Sequence, residues 1–352
     1  MAWTIDDPSA HFQTVLWSGS GSGQAITNGG DSDLQPDLVW IKKRAGGTAR
    51  AHQVYDSSRG TTKYFHTNTS ASEGTFTDGL TAFGSDGFTV GDGDGTDASG
   101  ATYVAWQWKA NGGTRTTNAE SGNDPGGGYQ VNTTAGISIV DYTGTGAAGT
   151  MAHGLGAVPE FLIIKGRERS DNWRTGSDSL SSWGYNIAFD VDDDEWANSG
   201  VFNSTAPTSS VFSLGNDGAT NANNEGHVAY LFKSIQGFSK SGKYTGNADA
   251  DGPFVYTGFK PAWVMVKRRD DDNSWVIRDS ARSPFNVMQK ALFTDLDNAE
   301  SDSSDYDFDF LSNGFKQRNA NGIDNASDGI YIYLAFAEQP FVTSGGVPCT
   351  AR

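Results

Sequence analysis

The chain has 352 residues, a formal net charge of −17, 45 glycines and a single cysteine. So acidic a surface repels phosphate and anionic lipid, which argues against nucleic-acid binding and against membrane association unless divalent cations bridge the two. One cysteine, Cys349, permits no internal disulfide. The mixture of 12% aromatic residues with abundant glycine argues against a helical bundle and for many short strands joined by tight turns.

The start, Met1 to Asp7, has neither a basic nor an apolar signal region, so folding is expected in a cytoplasm, with release by lysis or as part of a particle. The apolar runs Phe161 to Ile164 and Trp263 to Val266 are strand-sized, far too short to span a bilayer. From residue 13 onward, strand-like runs fall near 13–18, 37–43, 52–56, 62–66, 79–83, 86–90 and 102–109. About seven short strands in a hundred residues is the pattern of a β-sandwich. The last run alternates, with Tyr103, Ala105 and Gln107 on one face and Val104, Trp106 and Trp108 on the other.

The same pattern returns twice. A proline precedes a lysine by six positions at Pro36 and Lys42, Pro159 and Lys165, and Pro261 and Lys267, and an arginine follows at Arg44, Arg167 and Arg269. Upstream stand Trp17-Ser18-Gly19, Tyr142-Thr143-Gly144 and Tyr244-Thr245-Gly246, where the glycines suggest positive φ. Downstream, aromatic strands close at Trp108, Phe232 and Phe336. The expected fold is all-β: three tandem sandwich-like units over residues 1–111, 136–234 and 235–341. A Gly/Thr/Asn-rich linker covers 112–135 and a tail 342–352; unit one is expected to hang on the linker while units two and three pack tightly. A short helix is expected near Pro284 to Ala291.

Units one and three share Asp56-Ser57-Ser58-Arg59 with Asp279-Ser280-Ala281-Arg282, read as turn hydrogen bonds or ion pairs. They also share Asp86-Gly87-Phe88 with Asn313-Gly314-Phe315, read as hairpins. Unit two lacks both and carries Trp183, the run Asp192 to Glu195, and Trp196. Exposed aromatics among polar residues suit stacking on sugar rings, so Trp183 and Trp196 are the candidate receptor or glycan contacts, while Trp173 reads as core. The repeated lysines read as strand ends guarding an edge.

Chemistry is sparse. His11, His52, His66, His153 and His227 have no metal-ligand spacing. Gly91 to Asp97 and Asn247 to Gly252 look like calcium loops, but Gly258 stands where a closing Glu would be needed. Ser57 and Ser280 lie outside any nucleophile elbow. No catalytic residue, cofactor or metal is expected.

Several segments resemble a family of tailed-bacteriophage virion proteins, common in phages of marine cyanobacteria and alphaproteobacteria and described as tail fibre or structural proteins. They are Ile5 to Thr14, Gln35 to Lys42, Tyr103 to Trp106, His153 to Gly156, Asp251 to Phe259 and Asp309 to Phe315. The resemblance spans about residues 5 to 341 and departs at Gln107, where relatives often carry Cys. It implies a virion component assembled in the host cytoplasm: a tail fibre or receptor-binding appendage, a homotrimer contacting other virion proteins and a host glycan or envelope protein. A capsid decoration or tail adaptor is the alternative, and a glycan-degrading tail enzyme a third.

Overall fold

The structure, a computed structural model, describes residues 5–339. The protein is all-β, with 41% of residues in strands and 5% in helix. Three antiparallel sheets carry it, and one strand order recurs in each. An opening strand pairs with the closing strand, which pairs with the proline–lysine strand, which pairs with a fourth strand. In unit one these are Phe12–Ser18, Thr102–Trp108, Leu38–Ala45 and Gln53–Asp56. In unit two they are Ile137–Thr143, Gly226–Phe232, Phe161–Gly166 and Arg174–Ser177. In unit three they are Ser239–Thr245, Ile330–Phe336, Trp263–Arg268 and Val276–Asp279. Registers also correspond: Trp108, Phe232 and Phe336 lie opposite Leu38, Phe161 and Trp263.

Each main sheet is buried on both faces, and alternation divides the labour. In unit one, Val39, Ile41, Tyr103 and Ala105 face the unit's own core beneath a small sheet of Gln24–Thr27, Gly87–Val90 and Leu80–Gly84. Trp40, Val104, Trp106 and Trp108 face a core shared by all three units. There Trp108, Phe232 and Phe336 form a triangle with ring centroids 5.6–6.3 Å apart. Aromatic burial of this kind contributes about 1.5–3 kcal/mol per side chain.

The hairpins expected at Asp86-Gly87 and Asn313-Gly314 form. Glycine is required there by a third strand: a Cβ would meet Ile26 O at 2.0 Å and Val255 O at 2.1 Å. Crowding likewise explains Gly19, Gly144 and Gly246, where a Cβ would lie 2.0–2.3 Å from a carbonyl oxygen of Ala98, Ala222 or Ala326. The positive φ expected at these three is not what selects glycine; space is.

Three expectations change. The linker 112–135 is no free strap, because Thr116–Asn118 and Gly126–Asn132 extend unit two's sheet. Its buried Gln130 donates to Ser57 and Ser58 Oγ and accepts from Gly113 N, which ties it to unit one. Unit one is therefore held to unit two through this segment. The expected helix near Pro284 to Ala291 is absent: Met288 bridges Phe308 in extended pairing and Lys290–Phe293 is a strand. The tail 342–352, with Cys349, lies outside the described residues.

Candidate functional site

The repeated charges build the seams between units. Lys42, Lys165 and Lys267 are fully buried rather than guarding an edge. Each ammonium donates to a backbone carbonyl of the preceding unit: Lys42 Nζ to Asp297 O at 2.8 Å, Lys165 Nζ to Ser70 O at 2.7 Å, Lys267 Nζ to Asp192 O at 3.0 Å. Burial pushes all three down to about 8, against partial support from nearby aspartates.

Two positions beyond each lysine, the arginine meets a glutamate of the same preceding unit. Arg44 holds Glu300 in a two-point contact at 2.8 and 2.9 Å, and Arg167 holds Glu73 at 2.9 Å twice. Arg269 meets Glu195 from one nitrogen at 3.1 and 3.4 Å. The main chain runs alongside: Glu73 N, Glu195 N and Glu300 N donate to the carbonyls of Arg167, Arg269 and Arg44 at 2.7–2.9 Å. Unit one is thus latched to two, two to three, and three to one, closing a ring. The acidic run Asp192 to Glu195 contributes to this latch through the Asp192 carbonyl, which receives Lys267, and the Glu195 carboxylate, which receives Arg269, while residues 192–194 are exposed.

Two seams carry a further buried group. Asp56 accepts from Arg59 Nε at 2.5 Å and from Tyr230 Oη of unit two at 2.6 Å, and Arg59 reaches Glu73 at 3.2 Å. Asp279 accepts from Arg282 Nε at 2.5 Å and from Trp106 Nε1 of unit one at 3.0 Å, and Arg282 reaches Glu300 at 3.1 Å. Burial alone would raise the Glu300 carboxyl, but the Arg44 hydrogen bond and the charges of Arg282 and Arg44 hold it below its ordinary value. At the third seam Ser177 and Leu180 stand where Asp and Arg would be, and Leu334 stands where Tyr230 and Trp106 donate.

Trp183 and Trp196, the sequence candidates, are half-buried. Trp183 packs edge-on against Phe202, with centroids 5.7 Å apart. Trp196, paired with Asn186 across a hairpin, lies 4.9 Å beneath the Arg174 guanidinium. Trp173 is core, as expected, and donates to His66 O of unit one at 3.0 Å. The exposed large hydrophobics lie elsewhere. Of six among the described residues, four belong to unit three: Phe254, Tyr256, Phe285 and Val287. Phe254–Tyr256 is one edge of the small sheet continued by Gly314–Gln317 and Phe308–Leu311. Asn286 fixes the other side through two hydrogen bonds with the Phe310 main chain, at 2.8 and 3.1 Å. Phe285, 76% exposed, is the most exposed of the set. The sequence offered no sign of this, since Phe254 sits in a short strand-like run and Phe285 in the segment expected to form a helix.

The Asp-rich loops use their oxygens internally. Asp97 accepts from Ser20 N, Ser20 Oγ, Gly23 N and Gln24 Nε2. Among the described residues no three His, Cys, Asp or Glu side chains converge as a metal site, and no helix is long and apolar enough to cross a membrane.

The chain matches, over residues 7–340, the family described as "Domain of unknown function (DUF7483)", and it belongs to that family. One match covers all three units, in keeping with a ring in which none of them packs alone. No curated protein and no solved structure matches the chain.

Proposed function

We propose that this protein is a structural component of a bacteriophage virion, a tail fibre or receptor-binding appendage that contacts the host surface. Resemblance of the sequence to phage virion proteins supplies the particle context. The observation that carries the contact role is the exposure of Phe254 and Tyr256 on one edge strand of unit three's small sheet and of Phe285 and Val287 in the segment beside its other edge, while the equivalent latches of all three units face inward. Exposed aromatics on a rigid support suit macromolecular contact. The closed ring suits a particle exposed to the environment, because no unit can leave without opening two seams. The shared core is buried within one chain, so the single chain is the folding unit, and the homotrimer proposed for an appendage would assemble from such rings.

Purified protein should bind host cells and block infection, and Tyr256→Ser with Phe285→Ser should abolish both while leaving the melting temperature within a few degrees. Hundreds of copies per particle with no cell binding would replace this reading with a capsid decoration. Shortening of host polysaccharide by the purified chain would replace it with an enzyme.

A further inference from the structure

A cavity of about 410 Å³ opens where unit one meets unit three, lined by Arg50, Tyr64, His66, Phe76 and Asp94 on one side and Asp297 on the other. The size suits one sugar ring with room for a linkage. Two aromatic rings form a wall, Tyr64 and Phe76, with centroids 6.3 Å apart and planes at 67°. Glycines hold both in place. A Cβ on Gly74 would meet Tyr64 Cε1 at 2.4 Å, and one on Gly93 would meet Phe76 Cε1 at 2.6 Å. The rings therefore lie directly on backbone and are fixed before any ligand arrives.

The polar groups are equally anchored. The Arg50 guanidinium donates to Asp94 Oδ2 at 2.6 Å, while Lys43 holds the other carboxylate oxygen at 2.8 Å. Lys42 grips the Arg50 and Asp297 carbonyls together beneath the cavity. His66 Nδ1 lies 2.7 Å from His52 O and must carry the proton there, which leaves Nε2 as an acceptor. Burial lowers the His66 pKa, so the ring is neutral near pH 7.

The site exists at one seam of three. Lys42 and His52 lie ten positions apart, where Lys165 and Trp173, and Lys267 and Trp275, lie eight apart, and the longer connection carries Arg50. By register, Tyr64 and Gly74 of unit one correspond to Asn186 and Trp196 of unit two and to Ala291 and Ser301 of unit three. Glycine opposite an aromatic is found only in unit one of the three.

We propose that this cavity binds a neutral pyranose. The C–H face of the sugar stacks on Tyr64 with its rim against Phe76, adjacent hydroxyls share the Arg50 fork and the Asp94 carboxylate, and His66 Nε2 accepts from a third. Arg50 and Lys43 balance Asp94 and Asp297 locally, and the net charge of −17 disfavours an anionic saccharide. The proposal stands independently of the virion reading, because it concerns ligand chemistry and not the particle.

Saturation-transfer NMR on the full chain tests it, with the methyl glycosides of glucose, galactose and mannose at millimolar concentration and glucuronic acid alongside. At least one neutral glycoside should show transfer, with glucuronic acid weaker. Arg50→Ala, an exposed position, and Tyr64→Ala should each weaken binding tenfold or more, whereas Trp196→Ala should not. No transfer to any of the three glycosides overturns the proposal. So does binding that survives Arg50→Ala and Tyr64→Ala, or binding lost on Trp196→Ala, which would move the sugar to unit two. Arg50→Ala keeps the test valid if Tyr64→Ala unfolds the chain.

Discussion

The three–one and two–three seams perform one task with different materials. At the first, Arg282 is fully buried between Asp279 and Glu300, and Trp106 completes the carboxylate. At the second, Ser177, Leu180 and Leu334 take the corresponding places, and of the ion pairs only Arg269–Glu195 remains. The donor and the charge are absent together. A buried carboxylate without its arginine and its aromatic donor costs several kcal/mol, so a seam keeps the whole set or replaces it with apolar contact. Ion pairs of this kind specify which unit meets which, while the shared aromatic core supplies most of the cohesion.

The largest expected effect comes from breaking the charged seam. Arg282→Ala leaves Asp279 and Glu300 facing one another without their shared cation. It should destabilise the protein by about 3–5 kcal/mol. Glu195→Gln at the other seam should cost less, about 1–3 kcal/mol, since Arg269 meets Glu195 from one nitrogen and the amide oxygen can still accept from Ser181 N. Urea midpoints at constant m-value measure both. Equal losses would mean that the buried groups add nothing to the seam.

Next in size are the two donors. Tyr230→Phe and Trp106→Phe each remove a hydrogen bond to a buried carboxylate and should cost about 1–3 kcal/mol. Trp106→Phe also loses ring volume, so Tyr230→Phe is the cleaner measurement. Combining it with Asp56→Asn should give less than the sum of the single effects, because both act on one contact.

The sequence made the strand pattern legible because alternation and the proline–lysine spacing survive in every unit. Tyr103 to Trp108 divides its faces as its alternation predicts. The seams were not legible. Lys42 ends an apolar strand, and from sequence that is indistinguishable from an edge guard; only the neighbour's carbonyls make it a latch. A usable signal existed: glutamates recur 28 to 31 residues after each arginine, at Glu73, Glu195 and Glu300. The linker misled for a different reason. Glycines in Gly126–Asn132 suggest flexibility, yet Gly127 is needed because a Cβ there would meet Asp141 O at 2.1 Å. Trp183 and Trp196 attracted attention through polar neighbours, but sequence neighbours do not reveal that Phe202 and Arg174 pack on them.

The last comparison concerns what the three seams have in common. Lys42, Lys165 and Lys267 each fall to about 8 in the folded chain, from an ordinary value of 10.5, because burial penalises the charge. Between those two values the unfolded chain holds protons that the folded chain has released. Stability from these groups therefore rises with pH from about 8 towards 10, by roughly 1 kcal/mol per lysine for each pH unit inside the window. Below pH 8 both states are protonated and the slope vanishes. Lys165→Met should remove about a third of the rise, and Lys42→Met and Lys267→Met a third each, as measured by urea midpoints from pH 7.5 to 9.5. Equal thirds would show that the lysine latch is the constant element and the Asp–Arg pair the variable one. A slope carried by one lysine alone would make that seam, and not the ring, the unit of stability.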